Sequence, residues 1–172
     1  MKTITLSKGY VAIVDDDDFD AVMAAGPWHA NITPKTRAVY ARRVIKDESE
    51  SRSHYQTMHR FILNVVDAKV VVDHENHDGL DNRRNNLRAG SQTQNLGNSR
   101  KRIGAYSSKY KGVSFNKQHR KWRAQIAVDG IDRYLGSFDS ELEAAKAYDH
   151  AALGLFGKYA HINLGQSSAK AE

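Results

Sequence analysis

The stretch Val70-Val71-Val72-Asp73-His74, followed by Asn76, Asp78, Asp81-Asn82-Arg83-Arg84-Asn85-Asn86-Leu87-Arg88 and then Ser91-Gln92-Thr93-Gln94-Asn95, decides how this chain is read. Consecutive valines predict a buried strand that delivers Asp73 and His74 at its end. The Asn- and Asp-rich run after it is loop chemistry. Leu87 to Ala89 predicts a short returning strand. Ser91, with Gln94 three residues on, is a capping-box start for a helix that carries Asn95. The expectation is a strand–loop–strand–helix unit on which polar groups converge from three places. A plain β-hairpin would use many of these residues singly, but it does not require them at fixed offsets.

Such a set suits phosphodiester hydrolysis, which needs a divalent ion on the scissile phosphate and leaving oxygen and a base for the attacking water. A carboxylate and an amide oxygen are hard donors for Mg²⁺ or Mn²⁺. A neutral imidazole suits the base, and Arg83, Arg84 and Arg88 suit flanking phosphates. The segment resembles the HNH nuclease motif of the ββα-metal (His-Me finger) fold. Asp73-His74, Asn86 twelve residues after His74, Asn95 nine after that, and the surrounding Asp81-Asn82-Arg83 and Asn86-Leu87-Arg88 match its pattern. By that resemblance Asp73 and Asn95 would ligate one divalent ion, Mg²⁺ before Mn²⁺. His74 would be the general base, and Asn86 would brace the loop and orient His74 through hydrogen bonds to backbone. Asn95 stands where many members have a third His, as in the phage and intron-encoded homing type. His77 stands where Asn-Gly-Asp commonly places a glycine. His29, His54, His59, His119, His150 and His161 read as packed or surface histidines, with His59, in Met58-His59-Arg60, directly preceding the motif region.

The rest of the chain bounds this reading. Its 172 residues suffice for one ordinary domain or two or three very small ones, and the absence of Cys excludes disulfides and thiolate metal sites. No apolar run is long enough to span a membrane, and Met1 to Ile4 opens no signal-peptide core, so a cytoplasmic location in a bacterial or phage-infected cell is expected. Net charge is +6, but residues 1–68 hold nine basic and nine acidic side chains, whereas 109–133 hold seven and two. Charge concentrated in this way is a footprint for phosphate.

Residues 1–68 read as a β-rich region. Ile4 and Leu6, then Val11 and Ile13, alternate around a Lys8-Gly9 turn. Asp15 to Asp18 precede a short helix that Gly26-Pro27 closes; helix capping explains this acidic run more cheaply than a metal cluster does. Trp28 to Ile32 and Ala38 to Ile45 are strand-like, Lys46 to Ser53 is a polar tip, and Tyr55 to Leu63 is an apolar return. Residues 99–108 are polar and basic and predict a linker.

Residues 109–164 predict three strands and a helix: Tyr110 to Phe115, Lys121 to Val128, a turn at Asp129-Gly130, Arg133 to Phe138, then a helix from Ser140 with Glu143 completing its capping box. Leu142, Ala145, Tyr148, Ala152 and Leu155 recur at helical spacing, Ala144, Ala147 and Ala151 widen the stripe with small residues that let the helix lie close on a sheet, and Gly157 ends the helix. Period-two alternation puts Trp122, Ala124, Ile126 and Val128 on one face and Lys121, Arg123, Gln125 and Ala127 on the other. Tyr110-Lys111-Gly112-Val113, Lys121-Trp122-Arg123-Ala124-Gln125-Ile126, Tyr134-Leu135-Gly136-Ser137-Phe138, Glu143-Ala144-Ala145, Ala147-Tyr148-Asp149 and Asn163-Leu164 resemble the plant ethylene-response-factor (Apetala-type) DNA-binding domain. In that family a three-stranded sheet lies in the major groove. Arg123 and Gln125 would read bases and Lys111, Lys117, Arg120 and Lys121 would hold phosphates. Ser114, Ala127 and Asp132 stand where some family arginines would be. Tyr134 stands in place of the usual Trp, available for stacking or a phosphate contact.

The expected class is therefore α+β: a ββα-metal nuclease domain over 1–98 (β-rich region 1–68, core 69–98), a linker 99–108, an Apetala-type domain 109–164 and a tail 165–172. The expected function is metal-dependent, site-directed cleavage of double-stranded DNA by a homing-type endonuclease, monomeric or dimeric, with no membrane and no obligatory protein partner. The rivals are a non-catalytic DNA-binding regulator that retains the fold and an RNA-directed enzyme; the second is disfavoured because the RNA major groove does not admit a sheet.

Overall fold

The computed structural model describes residues 1–34, 36–47, 52–101 and 104–165. Half of the expected polar tip (48–51), two residues of the expected linker (102–103) and most of the expected tail (166–172) lie outside them. The chain is α+β and divides into two compact units, Met1–Ser91 and Gln92–Glu172. The division comes after Ser91, earlier than the domain end expected at residue 98.

The first unit starts with an antiparallel hairpin of β1 (Lys2–Thr5) and β2 (Val11–Val14), turned through Lys8 and Gly9 at positive φ. Ile4 pairs with Ala12, so Ala12 and Val14 face the core with Ile4 and Leu6, while Val11 points outward. The expected inward pair, Val11 and Ile13, is thus one residue out of phase. A one-residue shift exchanges the faces of a strand, and here Ile13 is the residue whose backbone takes up the site loop.

Helix α1 (Asp16–Ala24) follows, with Asp16, Asp17 and Asp18 in its first turn, where carboxylates suit the helix dipole. Asp15 is the N-cap but makes no side-chain capping bond. Instead its Oδ2 accepts the Arg84 backbone N–H. Asp16 pairs with the N-terminal amine, and Asp18 takes the Arg84 guanidinium through both carboxylate oxygens. The acidic run therefore ties α1 to the polar loop as well as serving the helix.

Strands β3 (His29–Ile32), β4 (Val39–Asp47) and β5 (Arg52–Thr57) form an antiparallel sheet with β4 central. The expected apolar return over 55–63 splits into the end of β5 and a short helix α2 (Met58–Ile62). A two-stranded sheet of β6 (Val71–His74) and β7 (Leu87–Gly90) completes the unit. Val14, Val22, Trp28, Met58, Ile62 and Val72 lie in the shared core.

In the second unit a short helix α3 (Gln92–Asn98) precedes the sheet β8 (Val113–Asn116), β9 (Lys121–Val128) and β10 (Ile131–Phe138), ordered with β9 in the middle. Asp129 and Gly130 both have positive φ and turn β9 into β10, as a primed hairpin turn requires. Helix α4 (Glu141–Phe156) opens on a complete Ser140–Glu143 capping box and ends at Gly157. Its buried stripe is Ala144, Ala145, Tyr148, Ala152 and Phe156. The expected members Leu142 and Leu155 are exposed instead, because alanines allow a closer helix–sheet approach and move the contact line toward them.

Residues of the expected linker pack rather than only connect. Lys101 Nζ donates to Tyr110 O, Ser107 Oγ accepts the Phe115 N–H and Ser108 Oγ accepts the Tyr110 N–H. Asn163 clamps the Lys111 residue from both sides, accepting its N–H and donating to its O, and the buried Asp149 carboxylate accepts the N–H groups of Asn163 and Leu164.

Gly112 has φ +73, and an added Cβ would lie 2.2 Å from the Tyr148 ring and 2.4 Å from Gln125 O. Gly112→Ala is therefore expected to lower the unfolding free energy by about 3 kcal/mol, from backbone strain plus overpacking. Urea denaturation measures it, and an unchanged midpoint would contradict this reading of the turn.

Candidate active site and nucleic-acid interface

Strand β6 ends on two side chains that point to opposite faces. Val72 and His74 are buried; Asp73 lies on the other face, opposite Arg88 in the β6–β7 register. The Arg88 guanidinium donates to Asp73 Oδ2 at 3.0 Å, and both side chains are largely buried.

The polar loop between β6 and β7 is closed by its own amides. Asn86 Oδ1 accepts the Asn76 N–H at 3.0 Å, Asn86 Nδ2 donates to Asp81 O at 2.7 Å, and Asn86 O accepts the Glu75 N–H. Asn76 Nδ2 donates to Asp81 Oδ2, and Arg83 grips the same carboxylate through two bonds of 2.7 Å. The loop is also attached to the first hairpin: Ile13 donates its N–H to Leu80 O and accepts that of Asn82. His77, where a glycine is common in the resembling motif, has a φ of 63°, which is glycine-favouring backbone. Gly79 lets the loop lie against Tyr40, since a Cβ there would come within 2.6 Å of the ring.

His74 is 4% exposed, and its Nε2 donates to Asn82 Oδ1 at 3.4 Å. The Asn82 amide nitrogen donates to Leu80 O, which turns its oxygen toward the imidazole. Around His74 stand two rings that no spacing in the sequence places at the site. The His59 ring meets it edge to face at 5.0 Å, and the Tyr40 ring lies 5.8 Å away. His59 comes from α2 and Tyr40 from β4, so only the tertiary fold brings them there. For His59 the one sequence signal is its place just before the motif.

Burial lowers the His74 pKa. The Asn82 bond and the charges of Asp73, Asp78 and Asp81 act against that shift without cancelling it. Burial, with His74 and Arg60 adding to it, lowers His59 to about 3. Burial first, and the Asp73 charge second, raise the Tyr40 phenol. Both imidazoles are thus neutral near pH 7, and carboxylate charge acts on His74 alone of the two. One consequence concerns stability. In the unfolded chain both histidines take up protons near pH 6.5, while in the folded chain they resist doing so. The unfolded state therefore binds more protons below pH 6.5, and stability that is full above that value falls as pH drops toward 3. For His59 alone the loss is about 2 kcal/mol at pH 5. Urea midpoints measured from pH 7.5 to 5 are expected to fall, and His59→Phe is expected to flatten that fall.

The expected metal donors are Asp73 and Asn95. Asp73 is a hard carboxylate whose charge is felt at both His74 and Tyr40, and the donor chemistry of a carboxylate and an amide oxygen fits Mg²⁺. Asn95 lies on α3, in the second unit. Among the described residues no three His, Cys, Asp or Glu side chains group to hold a metal by themselves.

The three loop arginines all have internal carboxylate partners. Arg83 holds Asp81, Arg84 holds Asp18 and Arg88 holds Asp73. Arg83 and Arg84 keep part of their side chains at the surface, whereas Arg88 is buried.

In the second unit the outward face of β9 carries Arg123, Gln125 and Ala127, with Ala124 and Ile126 inward. Tyr134 pairs with Gln125 across the strands, its ring lies 5.3 Å from the Arg123 guanidinium, and its O–H donates to Ser137 Oγ. Arg123, Gln125 and Tyr134 thus share one patch. Lys117 and Arg120 are exposed in the turn between β8 and β9, and Lys121 pairs with Asp139. Lys111 departs from its expected surface role. Its Nζ donates to Leu96 O and Gly97 O at the end of α3, and burial lowers its pKa to about 8.

Over 111 residues the chain is 31% identical to an uncharacterized HNH endonuclease of Acanthamoeba polyphaga mimivirus, covering 62% of this chain and 56% of that protein. It is 43% identical over 61 residues to APETALA2-like protein 2 of rice, covering 36% of this chain and 14% of the relative. It is 46% identical over 63 residues to dehydration-responsive element-binding protein 2D of Arabidopsis thaliana, covering 36% of this chain and 30% of the relative. No family model and no solved structure matches the chain. Among the described residues no helix is long and apolar enough to cross a membrane.

Proposed function

We propose that this chain is a metal-dependent DNA endonuclease of the homing HNH type, with a ββα-metal centre and a groove-reading sheet. The observation that carries the reading is the end of β6. A buried, neutral His74 and a charged Asp73 stand side by side there, in a loop that Asn86 closes through two backbone bonds. The similarity to a protein named as an HNH endonuclease and to plant Apetala-type proteins supports it.

His74 takes the proton of the attacking water. Its Nε2–H faces Asn82, so the basic lone pair is on Nδ1. Burial keeps the imidazole unprotonated near neutral pH and so ready to accept a proton. Asn86 fixes the loop that carries this geometry. Asp73 would be a protein donor to the divalent ion, which when bound supplies positive charge to the scissile phosphate and its leaving oxygen. Arg88 holds Asp73 in place. Arg83 and Arg84, partly at the surface, are the loop arginines positioned to reach flanking phosphates. Arg123 and Gln125 read base edges, with Tyr134 packing on Arg123, while Lys117, Arg120 and Lys121 hold backbone phosphates.

The test is incubation with duplex DNA and duplex RNA at matched salt, with Mg²⁺ or with EDTA. Cleavage of DNA that needs the metal is the expected result. Tight DNA binding without cleavage under Mg²⁺ or Mn²⁺ would instead establish the regulator, and preference for duplex RNA would remove the sheet from its groove-reading role.

A further inference from the structure

Two adjoining hollows, of about 420 Å³ and about 250 Å³, open beside the start of β8, an edge strand. Lys101, Lys109 and His161 line the larger one; Arg100, Lys101 and Lys111 line the smaller. No residue of β8, β9 or β10 lines either, so they are separate from the outward sheet face that carries Arg123 and Gln125.

Three lysines meet here without an ion-paired carboxylate. Lys101 Nζ donates to Tyr110 O and Val113 O, Lys111 Nζ to Leu96 O and Gly97 O, and Lys109 Nζ lies 5.1 Å from the Tyr110 ring. The Glu141 carboxylate accepts the Lys109 backbone N–H, and no ion pair joins an acid to any of the three ammonium groups among the described residues. Burial lowers the pKa of Lys101 and of Lys111, and burial with the charges of Lys111 and Arg100 lowers that of His161. The charges of Glu141 at Lys101 and of Asp149 at His161 oppose these shifts without cancelling them. The Lys101 and Lys111 ammonium groups are held partly out of water beside the exposed Lys109 and Arg100, and an anion bound among them supplies the charged partner that burial withholds.

We infer that this basic hollow is a phosphate-binding site, and that the phosphate it takes is a backbone phosphodiester of duplex DNA flanking the bases read by the sheet. This rests on the DNA-binding reading above. When the middle strand reads base edges, the two DNA backbones run past the edges of the sheet, and the hollow lies at one of them.

The experiment compares the full chain with Lys109→Gln and with Lys101→Gln/Lys109→Gln, measuring duplex affinity across a salt series. Lys109 is exposed, and its backbone N–H bond to Glu141 survives the substitution, so the single variant guards against a folding defect in the double one. The expected result is weaker binding to every sequence, with the slope of log affinity against log salt falling by about 0.9 for each phosphate no longer neutralised and base preference unchanged. Slopes equal to wild type in both variants would overturn the site while leaving the DNA reading intact. A wild-type chain that fails to bind duplex DNA at any salt would overturn both. A second arm titrates inorganic phosphate and follows thermal stability. Stabilisation of wild type but not of the variants, with DNA slopes unchanged, would make the site one for a free phosphate compound and overturn the backbone assignment.

Discussion

Arg88→Met is expected to lower the unfolding free energy by about 3–5 kcal/mol, the cost typical of breaking a buried ion pair from one side. Arg88 and Asp73 face each other across β6 and β7, with side-chain exposures of 8% and 16%. Removing the guanidinium leaves a desolvated carboxylate without its counter-charge. Arg88→Lys keeps the charge but loses the planar fork and is expected to recover only part of the loss. Asp73→Leu combined with Arg88→Met is expected to recover most of it, because an apolar pair carries no unpaired charge. Urea denaturation of wild type, Asp73→Leu, Arg88→Met and the double variant forms a double-mutant cycle, and a single Arg88→Met variant as stable as wild type would show that the pair does not hold β6 to β7.

His74→Ala is expected to slow DNA cleavage by about 10²–10⁴-fold, the usual contribution of a general base. Duplex affinity is expected to stay within about twofold, because the proposed base and phosphate contacts lie on other residues. Asn82→Ala tests the positioning of the same ring. Asn82 is fully buried and accepts from His74 Nε2. Its loss releases the tautomer that presents Nδ1, so kcat is expected to fall with KM little changed. Equal loss of affinity and rate in His74→Ala would move His74 from chemistry to binding.

The regular elements are largely legible in the sequence. The Asp129-Gly130 turn, the capping box at Ser140 and the alternation along β9 are local signals whose physics acts within a few residues, and the structure shows all three. The first hairpin is expected one residue out of phase, because Val11-Ala12-Ile13-Val14 is apolar at every position and only packing selects a face. The alanines of α4 are legible as letting the helix lie close to its sheet, but the two ends of the stripe are not: Leu142 and Leu155 are exposed, and Phe156 takes the buried position at the end.

At the site, the polar residues of the loop are legible because they are nearly consecutive. What surrounds them is not. Tyr40 and His59 reach His74 from β4 and α2, and Arg84 reaches back to Asp18. Each of these contacts is set by tertiary packing, and no spacing in the chain encodes it. The expectation for the arginines counts charges and leaves out the carboxylates that the fold supplies to them. Lys111 shows the same limit, since its sequence neighbours suggest a surface cation while α3 supplies carbonyls that draw its ammonium inward.

The most direct measurement is cleavage of supercoiled plasmid by wild type and His74→Ala side by side, in Mg²⁺, in Mn²⁺ and in EDTA. Open-circle or linear product that needs the metal and is lost in His74→Ala is the predicted result, and it also separates nicking from double-strand cutting. Product formed at the wild-type rate by His74→Ala, or formed by wild type in EDTA, would contradict a metal-dependent centre built on the end of β6.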